Sequence, residues 1–414
     1  MLVSMNILHL NTGQEGGAAL CTRRIHKALL HQGIASHMLV AKGPSASDVT
    51  VSHPDQDWWY GNPLRGKIKH LLMRTPFFWD REKMDILLRQ ALPRNAEPPY
   101  CHHPYTDFKS LWRHPLIEWA DIIHLHWVSG FVDYPSFFSH IRKPIVWTLH
   151  DMNPLLGLMH YESEHQPLPS YFQKLAQHCC TVKRQSLRGA KIHPVAISNF
   201  MAQACRESSI LGRYPLTVIS NGVETSVFKP SHHLYSLQGV DLANSTVFLF
   251  SSIDIWDARK GLQRVIEALE KVDCDDKVLV VVGSNPSQNL PRASFPVICV
   301  GLVKDDAFLA TLYSTADFFL HASYDESFGQ TLVEAMACGT PVIATRCGIS
   351  PELVSDMNGV LSEGFDSDDL ANAIAVAICR KYDAEVIRQH IIENYDYSVI
   401  ASKYIQHYRN VLKR

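Results

Sequence analysis

Short apolar runs alternate with amphipathic stretches along most of the chain. Asn6 to Leu10 is such a run; it ends in a turn over Asn11 to Gly17, a helical pattern follows from Ala18 to His31 and stops at Gly33, and the next run is His37 to Val40. Strand, turn, helix and strand in that order begin a βαβ unit, which builds a parallel sheet. Further strand-like runs are Ile122 to Leu125, Ile145 to Leu149, Val195 to Ser198 and Leu216 to Ile219. The first half therefore reads as one α/β domain, interrupted by an irregular aromatic stretch between Asp55 and Tyr105. Asn221-Gly222 is a turn signal, and Phe228-Lys229-Pro230 closes the segment after it. The pattern then restarts with strand Val247 to Phe250 and a helix over Gly261 to Glu270, in which Leu262, Val265, Ile266 and Leu269 share one face. Strands Val278 to Val282, Val297 to Val300, Phe318 to His321 and Val342 to Ala344 follow. Two consecutive α/β halves are the economical reading: residues 1–220, residues 221–390, and a C-terminal helix over 391–414 packing back on the first half.

Composition narrows this little. A chain of 414 residues suits two domains, and 46% hydrophobic with 19% charged residues is ordinary for an α/β protein that buries its core without staples. With 39 basic against 41 acidic residues there is no global field for nucleic acid. The ten cysteines contain no C-x-x-C pair and read as buried small hydrophobes in a reducing compartment. The 22 histidines are scattered and show no metal-type spacing. No basic leader precedes the first strand, and no apolar run approaches the ~18 residues of a membrane span, so a cytoplasmic location is expected.

Ligands of open α/β sheets bind beyond the carboxyl ends of the strands, which filters the candidate residues. Gly16-Gly17 lies in the turn after the first strand, where glycine lets backbone approach a ligand and the next helix points its N–H groups at an anion; the alternative is an ordinary turn. The absence of G-x-G-x-x-G counts against a dinucleotide cofactor. His150-Asp151 follows the strand PIVWTL, where a histidine can donate to a sugar hydroxyl or can be satisfied by its own loop. Arg259-Lys260-Gly261 opens a helix after a strand, an arrangement that suits a pyrophosphate or a solvated helix start. In YDESFGQTLVEAMACGTP, Glu326 precedes a helix from Gly329 to Ala337 with Gly339 as its C-cap, and Glu334 lies within that helix. Carboxylates accept two hydrogen bonds, which matches a vicinal diol, and the N–H groups of Phe328, Gly329 and Gln330 lie where an anion would bind; the alternative is an acidic first turn with one surface glutamate. Together the four groups point to a nucleotide-diphosphate sugar held between two domains.

At these residues the chain resembles the retaining family-4 glycosyltransferases. ESFGQTLVEAMACGTPVIAT is similar to that family's E-x7-E segment, NGVETSVFKP to its interdomain segment, and LYSTADFFLHAS to the helix and strand before the motif. GGAAL is similar to its glycine loop, and IIHLHW with PIVWTLHDM resembles a subgroup associated with bacterial surface polysaccharide assembly. The resemblance implies a GT-B fold, two facing Rossmann-like domains with the active site in the interdomain cleft. It implies that Glu334 binds the ribose of the donor, Glu326 the transferred sugar, Lys260 the diphosphate with Gly16 and Gly17 approaching it, and His150 the sugar. It also implies that Gly301 and Leu302 lie where backbone groups meet the base. The implied reaction is transfer to a glycan or lipid-linked acceptor with retention, without metal or other cofactor. The family's Arg some six residues before the lysine is Asp254 here, and Arg259 is the expected replacement. The subgroup's cysteine-rich loop is absent from Leu155 to His178, so no structural zinc is expected. Asp366-Ser367-Asp368 spells D-x-D but precedes a helix over Asp369 to Ile378 and reads as its N-cap.

Residues 55–94 carry eight Lys/Arg against five Asp/Glu, interleaved with Trp58, Trp59, Phe77, Phe78 and Trp79. Such a patch suits an anionic membrane surface or a lipid-linked acceptor, or else an insertion packed on its own domain. A GT-B phosphorylase, a nucleotide-sugar epimerase and a non-catalytic nucleotide-sugar binder share parts of the pattern, the last because of the missing arginine.

Overall fold

The computed structural model describes residues 5–43, 50–53, 75, 79–93, 100–161, 168–284 and 292–413. The chain forms two compact units, one of Met1–Ile197, Met201–Ile219 and Ala401–Arg414, the other of Ser198–Phe200 and Ser220–Ile400. Residues 391–400 stay with the second unit, unlike the expected return at 391. The helix Ala384–Tyr395 explains this: it buries Ile387 and Ile391 against the helix of the glutamate motif.

The first unit is a parallel sheet of β1 (Asn6–Asn11), β2 (Ala35–Val40), β3 (Val51–Ser52), β4 (Ile122–Leu125), β5 (Ile145–Leu149), β6 (Ile192–Ala196) and β7 (Thr217–Val218), in the order β3-β2-β1-β4-β5-β6-β7. All residues of β4 and β5 are buried, as strands covered by helices on both faces require. Helix α1 (Gly17–His31) connects β1 to β2 and buries Ile25 and Leu29.

After a small hairpin of β8 (Ser236–Leu237) and β9 (Val240–Asp241), the second unit repeats the plan. Its strands are β10 (Thr246–Asp254), β11 (Lys277–Ser284), β12 (Val297–Gly301), β13 (Phe318–His321), β14 (Val342–Ala344) and β15 (Gly359–Leu361), all parallel in the order β12-β11-β10-β13-β14-β15. Helix α2 (Leu262–Lys271) buries Leu262, Val265, Ile266 and Leu269, the face read from the periodicity. The helix α3 (Asp306–Thr315) precedes β13, and α4 (Gln330–Ala337) follows it. Asp366 caps α5 (Ser367–Ile378), accepting from the N–H groups of Asp368 and Asp369, so the D-x-D segment is a helix start. The chain ends in α6 (Tyr397–Leu412).

The strand order fixes where each unit can hold a ligand. In the first, β1 lies between β2 and β4; in the second, β10 lies between β11 and β13. The connections leave in opposite directions at these points, opening a crevice at the carboxyl ends of β1 and β4 and another at those of β10 and β13.

Candidate active site

At the second crevice the loops after β10 and β13 are tied together: the Tyr324 N–H donates to the Arg259 carbonyl at 3.0 Å, and the Arg264 guanidinium donates to the Ala322 carbonyl at 2.7 Å. This brings Lys260 onto Glu326 as a direct ion pair, with side chains 26% and 16% exposed. His321 Nε2, at the last position of β13, lies 4.0 Å from the same carboxylate. Burial alone would raise the Glu326 pKa, but Lys260 and His321 hold it below the usual carboxylate range. Burial lowers the His321 pKa to about 4, against the pull of Glu326, so the ring is neutral at physiological pH. Glu334 projects from α4 into buried surroundings, where the Tyr313 hydroxyl donates to it at 3.4 Å.

The helices that open at this crevice begin differently from their neighbours. Asp305, Asp366 and Asp383 cap the helices at 306–315, 367–378 and 384–395 with their side chains. Gly261 and Gly329, at α2 and α4, have left-handed φ values of +83° and +105°, and neither helix has a capping side chain or an acid in its first turn. The positive ends of both helices are thus left for something other than their own sequence. Gly261 also admits no side chain, because a Cβ would lie 2.5 Å from the Ala322 carbonyl. Gln330 uses its side chain to hold the Gly222 carbonyl at 2.9 Å, and buried Phe328 accepts from the Ile349 N–H, so both also fix the turn before α4. Gly301 ends β12 at φ +85° with open space where a Cβ would stand, and Leu302 beside it is half exposed.

In the first unit, Gly16 (φ +90°) is the N-cap of α1, again without a capping side chain, and neither it nor Gly17 has an atom within 4 Å of a would-be Cβ. His150 follows β5, half-buried, with Nε2 3.1 Å from His126 Nδ1. Asp151 is an anchor: it accepts from Trp127 Nε1 and His160 Nδ1, both at 2.6 Å, and from the Asn153 N–H at 2.9 Å. Lys183 pins the loop that follows Asp151. Its buried ammonium donates to the Asn153 carbonyl, the Asn153 side chain and the Leu156 carbonyl at 2.6, 3.0 and 2.9 Å. A recess of about 990 Å³ opens past the ends of β2 and β4, bordered by Lys42, Arg89, His102 and Phe108.

The structure thus gathers Lys260, Glu326, Gly329 and the Arg259 backbone in one crevice, and sets Gly16, Gly17 and His150 at the other. Arg259, the expected replacement cation, pairs its guanidinium with Asp257, with contacts of 2.7 and 3.2 Å. Its pairing acid stands two residues earlier, a signal the sequence reading passed over. His321 and Tyr313 were also missed, although His321 ends a strand and meets the same positional filter as the others. The histidines are not scattered in space: His9 pairs with His124 across β1 and β4, and ring nitrogens of His9, His124 and His126 lie within 4.8 Å of one another. In the 55–94 stretch, Trp58, Trp59, Phe77 and Phe78 lie outside the described residues. Trp79 stacks on His178 at 3.8 Å with Lys83 over its ring, so this part packs on its own unit. No helix among the described residues is long and apolar enough to cross a membrane.

Two doubly wound parallel units make the GT-B fold, and the sequence patterns that match both halves of the chain are those of glycosyltransferases. The solved structures agree in fold: sucrose-phosphate synthase from Thermosynechococcus elongatus matches over 99% of both chains with a TM-score of 0.69 at 20% identity. HepE of Anabaena, in complex with UDP and glucose, matches over 98% of this chain and 99% of its own with a TM-score of 0.64 and 20% identity. The pattern described as Glycosyltransferase Family 4 matches residues 15–227, over half of the chain, and that described as Glycosyl transferases group 1 matches residues 245–379. The chain belongs to glycosyltransferase family 4. Among relatives, D-inositol 3-phosphate glycosyltransferase of Pseudarthrobacter chlorophenolicus is 26% identical over 87% of this chain and 82% of its own length. Phosphatidyl-myo-inositol mannosyltransferase of Mycobacterium leprae is 32% identical over 47% of this chain and 53% of its own.

Proposed function

We propose that this glycosyltransferase moves a sugar from a nucleotide-diphosphate donor to a hydroxyl of a glycan or lipid-linked acceptor, with retention at the anomeric carbon. The observation that carries the reading is the Lys260–His321–Glu326 cluster at the β10/β13 switch point, beside two helices whose positive ends are uncapped. Glu326 is the anionic partner of Lys260 while no donor is bound. A diphosphate entering at the helix ends takes over that lysine and releases the Glu326 carboxylate to accept from hydroxyls of the transferred sugar. Glu334, in its recess behind, takes the ribose hydroxyls. As the bond from the anomeric carbon to the phosphate oxygen breaks, negative charge gathers on the diphosphate, where Lys260 and the N–H groups of α2 and α4 offset it. The acceptor hydroxyl enters on the same face and gives its proton to the departing phosphate oxygen. By the resemblance, His150 is assigned to the sugar and Gly16 with Gly17 to a close backbone approach.

In this reading the Lys260 ammonium and the backbone N–H dipoles of α2 and α4 do the work of a metal ion, so enzyme treated with EDTA should keep its activity. The recess past β2 and β4 is the acceptor's place in this reading. Lys42 and Arg89 on its border suit an acceptor with a phosphate group, as the names of the two relatives above state for theirs. Contact of residues 55–94 with an anionic membrane belongs to the same proposal, and vesicle co-sedimentation tests it. The deciding experiment is a thermal-shift screen with UDP-, GDP- and ADP-sugars, since a ligand of the folded state raises its stability. The donor that shifts the melt is then used to read the product's anomeric configuration by NMR. No shift with any donor overturns the reading, and an inverted product overturns retention.

A further inference from the structure

The histidines beneath the first crevice form a ladder. His9 Nδ1 lies 2.9 Å from His126 Nε2, and His126 Nδ1 lies 3.1 Å from His150 Nε2. His9 Nε2, at the inner end, is buried without a partner. His150 Nδ1, at the outer end, has no protein partner among the described residues. Burial lowers the pKa of all three rings, that of His150 to about 4, so each is neutral with one ring proton.

Where those protons sit follows from the unpartnered end. A buried N–H without an acceptor costs more than a bare lone pair, so His9 carries its proton on Nδ1 and donates to His126 Nε2. His126 must then carry its proton on Nδ1 and donate to His150 Nε2, which leaves the His150 proton on Nδ1. We propose that His9 and His126 are positioning residues that lock His150 in the Nδ1–H tautomer, so that it presents a donor, and never an acceptor, to the ligand at the first crevice. This rests on the reading of His150 as the sugar contact.

A metal ion on His9, His124 and His126 fits these surroundings less well. Both nitrogens of His124 are taken, by the Tyr408 hydroxyl at 2.7 Å and Thr148 Oγ1 at 2.8 Å, and Thr148 is itself held by the Tyr404 hydroxyl at 2.7 Å. The groups that influence the three rings electrostatically are other histidines, with no carboxylate among them to balance a dication.

The test is the imidazole ¹⁵N–¹H correlation spectrum of histidine-labelled protein, with the His150 signals assigned through His150→Gln. Wild type should show the Nδ1–H form of His150. His126→Leu should move it toward the Nε2–H form, while His126→Asn, whose amide can still donate toward His150 Nε2, should retain it. With the donor found above, His126→Leu should lower kcat about tenfold at little change in donor KM, and His126→Asn should recover most of it. An Nε2–H form in wild type, an unchanged tautomer in His126→Leu, or stoichiometric zinc in the purified protein overturns the proposal. A protein without transferase activity whose His150 tautomer still follows residue 126 overturns the reading of the site and supports the ladder.

Discussion

Replacing Lys183 by Met tests how the loop after His150 is held. The ammonium is fully buried and donates three hydrogen bonds to the segment between Asn153 and Leu156. Burial, partly offset by Cys179, Cys180 and Asp151, lowers its pKa from 10.5 to about 8, a net cost to the charged form of about 3 kcal/mol. Three charge-assisted bonds are together worth about 6 kcal/mol, so the variant should lose about 3 kcal/mol net at pH ~7. The pH dependence is the sharper readout. The folded-state pKa lies below the unfolded one, so between about pH 8 and 10.5 the unfolded chain binds a proton that the folded chain does not, and the lysine's contribution to stability rises with pH. Between pH ~7 and pH ~9.5, the gap between wild type and Lys183→Met should widen by about 2 kcal/mol. Urea unfolding followed by tryptophan fluorescence reads it, since Trp112, Trp119, Trp127 and Trp147 lie in the first unit and Trp256 alone of the described tryptophans in the second. A gap that stays constant across that range would refute a strained, charged lysine beneath the loop.

The two glutamates should separate by kinetics. Glu334→Ala should raise donor Kd about tenfold or more with a smaller change in kcat, and Glu326→Ala should lower kcat about a hundredfold with donor Kd nearly unchanged; the reverse pattern, read by calorimetry and initial rates, would exchange their roles. Lys260→Met removes the cation that keeps Glu326 ionised against burial, so the carboxyl pKa should rise. The acid limb of the pH–rate profile should then move to higher pH, and an unmoved limb would show that the pair does not govern activity. Arg259→Ala should weaken donor binding only a fewfold, about 1 kcal/mol, because Asp257 already takes its charge; a loss of a hundredfold or more would restore it as the replacement for the absent upstream arginine. Gly261→Ala should destabilise the second unit by about 2 kcal/mol or more, since its Cβ meets a carbonyl and its φ is left-handed; thermal unfolding checks this.

The legible part of the sequence was whatever repeats locally. The i, i+3, i+4, i+7 face of α2, the buried runs of β5 and β11, and Asp366 before α5 are set by neighbours in the chain, and the structure places them where the pattern does. Glycines after strands also carried their meaning locally, because left-handed backbone at a helix start has few other uses. What the sequence hid depends on pairing between distant strands. His9 and His124 are separated by more than a hundred positions and meet only because β1 and β4 are neighbours, so their spacing resembles scatter. Arg259 shows the opposite case: its partner Asp257 is close by, but a tight turn was needed to see the two side chains pair. The C-terminal boundary slipped because the helix at 384–395 is amphipathic toward the second unit, and amphipathicity does not say which core a helix joins.

Gly261 and Gly329 leave two helix ends without partners of their own, and that choice reaches past bond breaking to turnover. When the sugar departs, the nucleoside diphosphate left behind carries more negative charge than the donor did. If the diphosphate sits at those helix ends beside Lys260, as proposed, it should be held more firmly as product than as substrate. On the proposed function the free nucleotide should compete with the donor, and its release is a candidate for the slow step of the cycle. Initial rates with added nucleoside diphosphate read this directly, and a product inhibition constant well above the donor KM would remove the link between these two glycines and turnover.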